Sequence, residues 1–99
     1  MTITRTQDGE TTTLALDGRL DTTTSPTLQQ DLVPEFNTAT KVNLDCTNLK
    51  YVSSAGLRVL LMGEKTAKAK GAKMALLNVS AEVMEVFDMT GFNDVLRFE

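Results

Sequence analysis

Strand-like and helix-like segments alternate along this chain, and that alternation restricts its fold more than any other feature of the sequence. The first signal is Asp8-Gly9, set between the β-prone runs 2–7 and 10–16. An Asp-Gly pair between two such runs closes a two-residue hairpin, because the favoured turn needs positive φ at both central residues. Gly18-Arg19-Leu20-Asp21 is then expected to leave the sheet. Ser25-Pro26 opens a helix, with serine as its cap and proline at the first helical position. Leu28, Leu32 and Phe36 give that helix its apolar stripe, and Pro34 stops or kinks it near Val33.

The second half repeats the alternation. Val42, Leu44 and Cys46 alternate with polar residues, which predicts a strand over 41–46. Ser53-Ser54-Ala55-Gly56 begins a second helix that runs to about Lys70 and stops at Gly71. An apolar strand follows at Lys73–Leu77. Ser80 then caps a third helix carrying Val83, Val86 and Phe87 at helical spacing and ended by Gly91, and 95–98 forms a short final strand. The expected fold class is α/β, with a mixed, mostly parallel central sheet, an N-terminal hairpin and helices after it. No repeat or linker divides the chain, so residues 1–99 are read as one domain.

Composition narrows the chemistry. The chain has no histidine, which removes a Ser-His-Asp triad, a Cys-His pair and any His-ligated metal site. No glycine-rich phosphate loop followed by Lys-Ser/Thr is present, which disfavours nucleotide hydrolysis. The reading is of a protein that is not an enzyme, with no cofactor and no metal. A small enzyme using Asp21, Asp45 or a lysine is the weakest alternative. The net charge of −3 argues against nucleic acid as a partner. No apolar stretch approaches the roughly 18 residues that span a bilayer, and residues 1–10 lack the apolar core of a secretory signal. The expectation is a cytoplasmic protein with no membrane insertion. The single cysteine, Cys46, allows no intrachain disulfide, and its alternation with Val42 and Leu44 makes it a buried structural thiol. Lys65, Lys68, Lys70 and Lys73 read as a solvated helix end near a favourable dipole. The sequon Asn78-Val79-Ser80 carries no meaning without a secretion signal.

The stretch that carries function runs from Asp45 to Leu57, where a strand ends, a polar loop turns, and small residues lead into a helix. A helix N-terminus has unpaired N–H groups and partial positive charge, so a serine there accepts phosphate without unfolding its domain. Taken locally, a serine at this place is more often a plain cap. The residues after it weigh the other way. Leu57, Val59, Leu60, Leu61 and Met62 make the first two turns apolar almost all round, relieved only by Arg58. Either neighbouring helices or a partner must cover part of them. Arg58 and Met62 stand four residues apart and share a helix face, which suits a docking surface.

Gly18-Arg19-Leu20-Asp21, the run 45–61, and Leu77-Asn78-Val79 leading to Val83, Phe87 and Gly91-Phe92 together resemble the STAS domain, in its stand-alone anti-sigma factor antagonist branch. The resemblance covers essentially the whole chain. It implies a partner switch, in which an anti-sigma factor serine kinase binds the unphosphorylated antagonist and is released once it has phosphorylated it. A PP2C-type phosphatase resets the switch. Carried over by motif, the acceptor is Ser54, and Ser53 stands where the family often has aspartate. The resemblance places Asp21 near the acceptor, and Asp45 and Thr47 where they shape the same loop. Asp21, Ser53, Gly56, Arg58 and Met62 are the expected partner-binding residues. An accessory STAS subunit of a transport ATPase is the alternative within the family.

Overall fold

The computed structural model describes residues 1–99. It contains β1 (Thr2–Asp8), β2 (Thr11–Leu20), α1 (Ser25–Leu32), β3 (Lys41–Val52), α2 (Ser54–Lys70), β4 (Lys73–Leu77) and α3 (Ala81–Thr90). Short 3₁₀ turns lie at Val33–Asn37 and Phe92–Asp94. One four-stranded sheet has the order β1-β2-β3-β4, with β1 antiparallel to β2 and the other pairs parallel. The hairpin forms one residue later than expected: Asp8 pairs with Thr11, so Gly9 and Glu10 are the central residues of the turn, and of the two only Gly9 takes positive φ, at +62°.

Each parallel crossover advances one strand in the same direction. Right-handed connections of that kind lay every helix on one face of the sheet. Burial follows this pattern. Leu14, Leu16, Val42, Leu44 and Met74 point into the core, while Thr13, Ala15, Asn43 and Asp45 on the opposite face stay half-buried. From the helices come Leu28, Leu32, Leu60, Ala67, Val83 and Phe87, all buried. Phe36 joins them from the 3₁₀ turn that starts at Val33. Pro34 thus ends α1 at Leu32 without losing the third residue of the stripe.

Four boundaries differ from the sequence reading, each for a local reason. β2 continues to Leu20 instead of leaving the sheet at Gly18. Register shifts between Ala15 and Asp17, and between Gly18 and Arg19, absorb the irregular residues, and Gly18 takes φ +116° where a side chain would be strained. Because β2 is longer, β3 is longer as well, reaching Val52 and pairing with Leu20. Ser25 is the first residue of α1 and not its cap, a place taken by Thr24, and its buried hydroxyl donates to the Asp21 carbonyl. The expected strand at 95–98 is reduced to one parallel bridge, Leu76 with Phe98.

Two side-chain ties close the edges. Arg5 on the edge strand donates to both carboxylate oxygens of Glu35, at 2.6 and 3.1 Å, and Thr12 adds a bond of 3.1 Å. The Arg5 bond in particular holds the Glu35 carboxyl below the usual carboxylate range. At the other edge Phe87 meets Phe98 with ring centroids 5.4 Å apart. Cys46 is buried as read, and burial, with the Asp45 charge adding to it, pushes its thiol up to about 12. Phe87 joins α3 and the C-terminal segment to the core, so Phe87→Ala should cost about 3–5 kcal/mol in urea unfolding. A loss below about 1 kcal/mol would show that α3 docks by other contacts.

Candidate functional site

The paired ends of β2 and β3 place two loops side by side. Leu20 is in register with Val52, and the Ser53 N–H donates to the Leu20 carbonyl at 2.9 Å. The segments that leave these strands begin at adjacent carboxyl ends, the edge where parallel α/β sheets present their binding groups. Ser53 caps α2 in extended backbone (φ −92°, ψ 175°), and its hydroxyl accepts from the Gly56 N–H at 3.3 Å. Its carbonyl takes the first helical bond, from Leu57 N–H at 2.9 Å. The N–H groups of Ser54 and Ala55 have no backbone partner, so the positive end of the helix opens to solvent there. Ser54 is exposed, and no protein group bonds its hydroxyl.

Gly56 explains why the helix starts where it does. A Cβ at this position would lie 2.7 Å from Leu20 Cγ and 3.0 Å from the Leu20 carbonyl oxygen. Gly56 is buried against the end of β2, so any part it has in partner binding acts through the position of the helix start.

Asp21 lies directly after Leu20 and organises the neighbouring loop. Its Oδ1 accepts from the N–H groups of Thr23 and Thr24, at 3.0 and 3.1 Å. Thr24 in turn accepts from the Asp21 N–H and donates to the Arg19 carbonyl. These bonds, that from the Thr24 N–H first, hold the Asp21 carboxyl below its usual range. Asp45 and Thr47 behave differently from expectation. Asp45 Oδ1 accepts from Thr47 Oγ1 at 2.7 Å, Thr47 N–H at 3.1 Å and Asn78 Nδ2 at 3.2 Å. They tie β3 to the loop before α3, not to the Ser53–Ser54 turn, because β3 runs on six residues past Cys46 before that turn begins. Sequence reasoning also missed Arg19 over the Tyr51 ring, 4.1 Å from its centroid. The two are cross-strand partners, a relation visible only once β2 is extended past Gly18.

The apolar start of α2 is largely absorbed by the core. Leu57, Val59 and Leu60 are buried, Leu61 is half-buried, and Met62 stays 40% exposed beside the exposed Arg58. Arg58 and Met62 form a ridge between two grooves. One, of about 270 Å³, lies toward α1 and includes Pro26, Gln29 and Ala55. The other, of about 310 Å³, includes Leu61, Lys65 and Thr66. The only carboxylate of α2, Glu64, is buried, so Arg58, Lys65, Lys68 and Lys70 stand on its exposed side without a carboxylate from their own helix. No group of three or more His, Cys, Asp or Glu is arranged to hold a metal ion, and no helix is long and apolar enough to cross a membrane.

Comparison with known proteins finds relatives over most of the chain. The family model described as Mlab, STAS domain, matches residues 3–97. An anti-sigma-B factor antagonist of Bacillus subtilis is 29% identical over 79 residues, covering 80% of this chain and 72% of the relative. One of Staphylococcus epidermidis is 31% identical over 81 residues, covering 81% and 75%. The Bacillus anti-sigma factor antagonist SpoIIAA has been solved in unphosphorylated and phosphorylated forms. The two match with TM-scores of 0.78 and 0.77 at 18% and 19% identity, each covering 99% of this chain, and 87% and 91% of theirs. At that identity the structural likeness is one of fold.

Two outcomes test the site's construction. Gly56→Ala should destabilise by about 1–3 kcal/mol, since crowding against Leu20 outweighs the roughly 1 kcal/mol that alanine gains over glycine in a helix. A stabilised variant in urea unfolding would refute the close approach. Asp45 is depressed chiefly by its Thr47 hydroxyl bond, so it stabilises the fold above the usual carboxylate range, and that contribution fades as pH falls through its lower folded value. Asp45→Ala should therefore cost roughly 1 kcal/mol near pH 7 and progressively less below about pH 4. A cost independent of pH would contradict the charged-acceptor role.

Proposed function

The chain belongs to the STAS domain family, and we propose that within it the protein acts as an anti-sigma factor antagonist in a partner switch. It binds an anti-sigma factor serine kinase through the first turns of α2 while Ser54 is free, and is released when Ser54 is phosphorylated. A PP2C-type phosphatase restores the binding form. The observation that carries this reading is the division of roles between two adjacent serines. Ser53 is committed to the helix cap, whereas Ser54, one residue on, is exposed with an unbonded hydroxyl beside free N–H groups.

The antagonist relatives named above support the same role, as does the Arg58–Met62 ridge immediately along the helix. A phosphate adds about −1.5 to −2 charge. Placed at the edge of a docking surface, that charge must be desolvated on binding, which costs several kcal/mol. Asp21 contributes by fixing the loop that borders the acceptor, and Ser53 by fixing the helix start.

The test is phosphopeptide mass spectrometry after incubation with the cognate kinase, with two alanine variants. Ser54→Ala should take up no phosphate, keep its stability within about 0.5 kcal/mol and hold the kinase persistently. Ser53→Ala should still be phosphorylated while losing about 1 kcal/mol of stability with its cap. Phosphate on Ser53 of the wild type would overturn the assignment. Capture of a transport ATPase, indifferent to the state of Ser54, would overturn the function.

A further inference from the structure

The exposed stripe of α2 contains a relation that the switch itself does not require. Ser54 and Arg58 are both exposed, and they stand at i and i+4, on one helix face. An acidic group four residues before a basic one is the favoured order for such a pair, since it also agrees with the helix dipole. Arg58 is uncommitted, taking part in none of the ion pairs and side-chain hydrogen bonds of the protein. The other cations near this end are placed otherwise. Arg19 lies over Tyr51 and 3.8 Å from Asp21. Lys65 is eleven residues along the helix from Ser54, roughly 16 Å at the α-helical rise.

We propose that Arg58 is the internal counter-ion of phosphorylated Ser54, and that its capture withdraws the guanidinium from the ridge between the two grooves of α2. The inference rests on the reading of Ser54 as acceptor and deepens it. A phosphate offers three strong acceptor oxygens, and a guanidinium binds such a group through two parallel N–H bonds. Arg58 borders both grooves, so its movement onto the phosphate changes the charge of each at once. Phosphorylation then acts twice on the docking surface: it brings in a negative group and removes the positive one that stood one turn further on. The exposed face keeps Lys65, Lys68 and Lys70, but the end nearest the acceptor changes sign.

The experiment uses the full chain with phosphoserine installed genetically at position 54, so it needs no kinase. Phosphorus NMR titration should give a second phosphate pKa about 0.3 units lower with Arg58 present than in Arg58→Gln, the size expected for an i, i+4 pair. Arg58→Lys should retain part of the difference, and about 1 M salt should remove it. The helix dipole acts equally in all three proteins, so the comparison isolates the side chain. The Arg58 Nε–H resonance should move on phosphorylation. Identical titrations for wild type and Arg58→Gln would overturn the proposal, as would a difference that survives high salt. Phosphate found by mass spectrometry on a residue other than Ser54 would instead overturn the acceptor assignment, leaving the measured pairing intact.

Discussion

The close approach of Gly56 to Leu20 is the contact on which the site depends. Any side chain at position 56 would enter the space of Leu20, including its carbonyl oxygen, and that backbone atom cannot move without disturbing β2. With only hydrogen there, the first turn of α2 sits against the strand end. The Ser53 N–H then reaches Leu20 O, and the cap orients so that Ser54 points away from the protein. Seven residues later Gly63 occupies the same helix face, where a Cβ would meet Leu32 Cδ2 and Met74 Sδ. Those are the far ends of flexible side chains, which can shift. The helix is therefore fixed at its N-terminus and adjustable along its length, an order that suits a helix whose first turn carries the proposed acceptor.

The sheet supplies the setting. Because successive crossovers advance in one direction, all three helices share a face, and their N-termini follow the carboxyl ends of β2, β3 and β4. Two aspartates stabilise this edge by the same local device. Asp21 accepts from N–H groups two and three residues ahead, and Asp45 from the N–H two residues ahead. Such bonds fix a loop at little cost, since partner and acceptor are already neighbours in sequence. Asp21 organises the loop that lies against the start of α2, and Asp45 organises the next one along, through Asn78. The two carboxylates are thus equivalent in construction and different in what they border.

Much of this was legible in the sequence, in proportion to how local its causes are. A hairpin at Gly9, the Ser80 cap, the break at Pro34 and the stop at Gly71 each follow from two or three neighbouring residues, whereas which of Ser53 and Ser54 caps α2 does not. The boundaries that moved depend on pairing between distant segments. Residues 18–20 look like a turn because Gly18 takes positive φ, yet two register irregularities carry β2 past it. The length of β3 follows from that of β2. The Arg19–Tyr51 contact and the true role of Asp45 then follow from the longer strands. Gly56 illustrates the same limit in the site. The sequence marks it as part of the motif, but only the position of Leu20 across the sheet shows what it packs against.

A modification can switch binding and leave the fold unchanged only where it is energetically separate from the contacts that hold that fold. At the start of α2 that separation is made by neighbouring residues of the same type. The Ser53 hydroxyl bonds the Gly56 N–H, and its own N–H and carbonyl engage Leu20 and Leu57, so a group attached there would break the cap. The Ser54 side chain holds nothing, and the N–H groups beside it are already open to an anion. A phosphate on Ser54 would therefore leave every bond of the helix start in place. The face it joins, with Arg58 and three lysines and no exposed carboxylate from α2, is cationic on a chain of net charge −3. Adding about two negative charges there outweighs Arg58 at the end nearest Ser54 and roughly halves the charge of the whole face, while elsewhere it would only add to an existing excess. In the proposed switch, the cationic, partly apolar ridge is what would give a single phosphate leverage over binding.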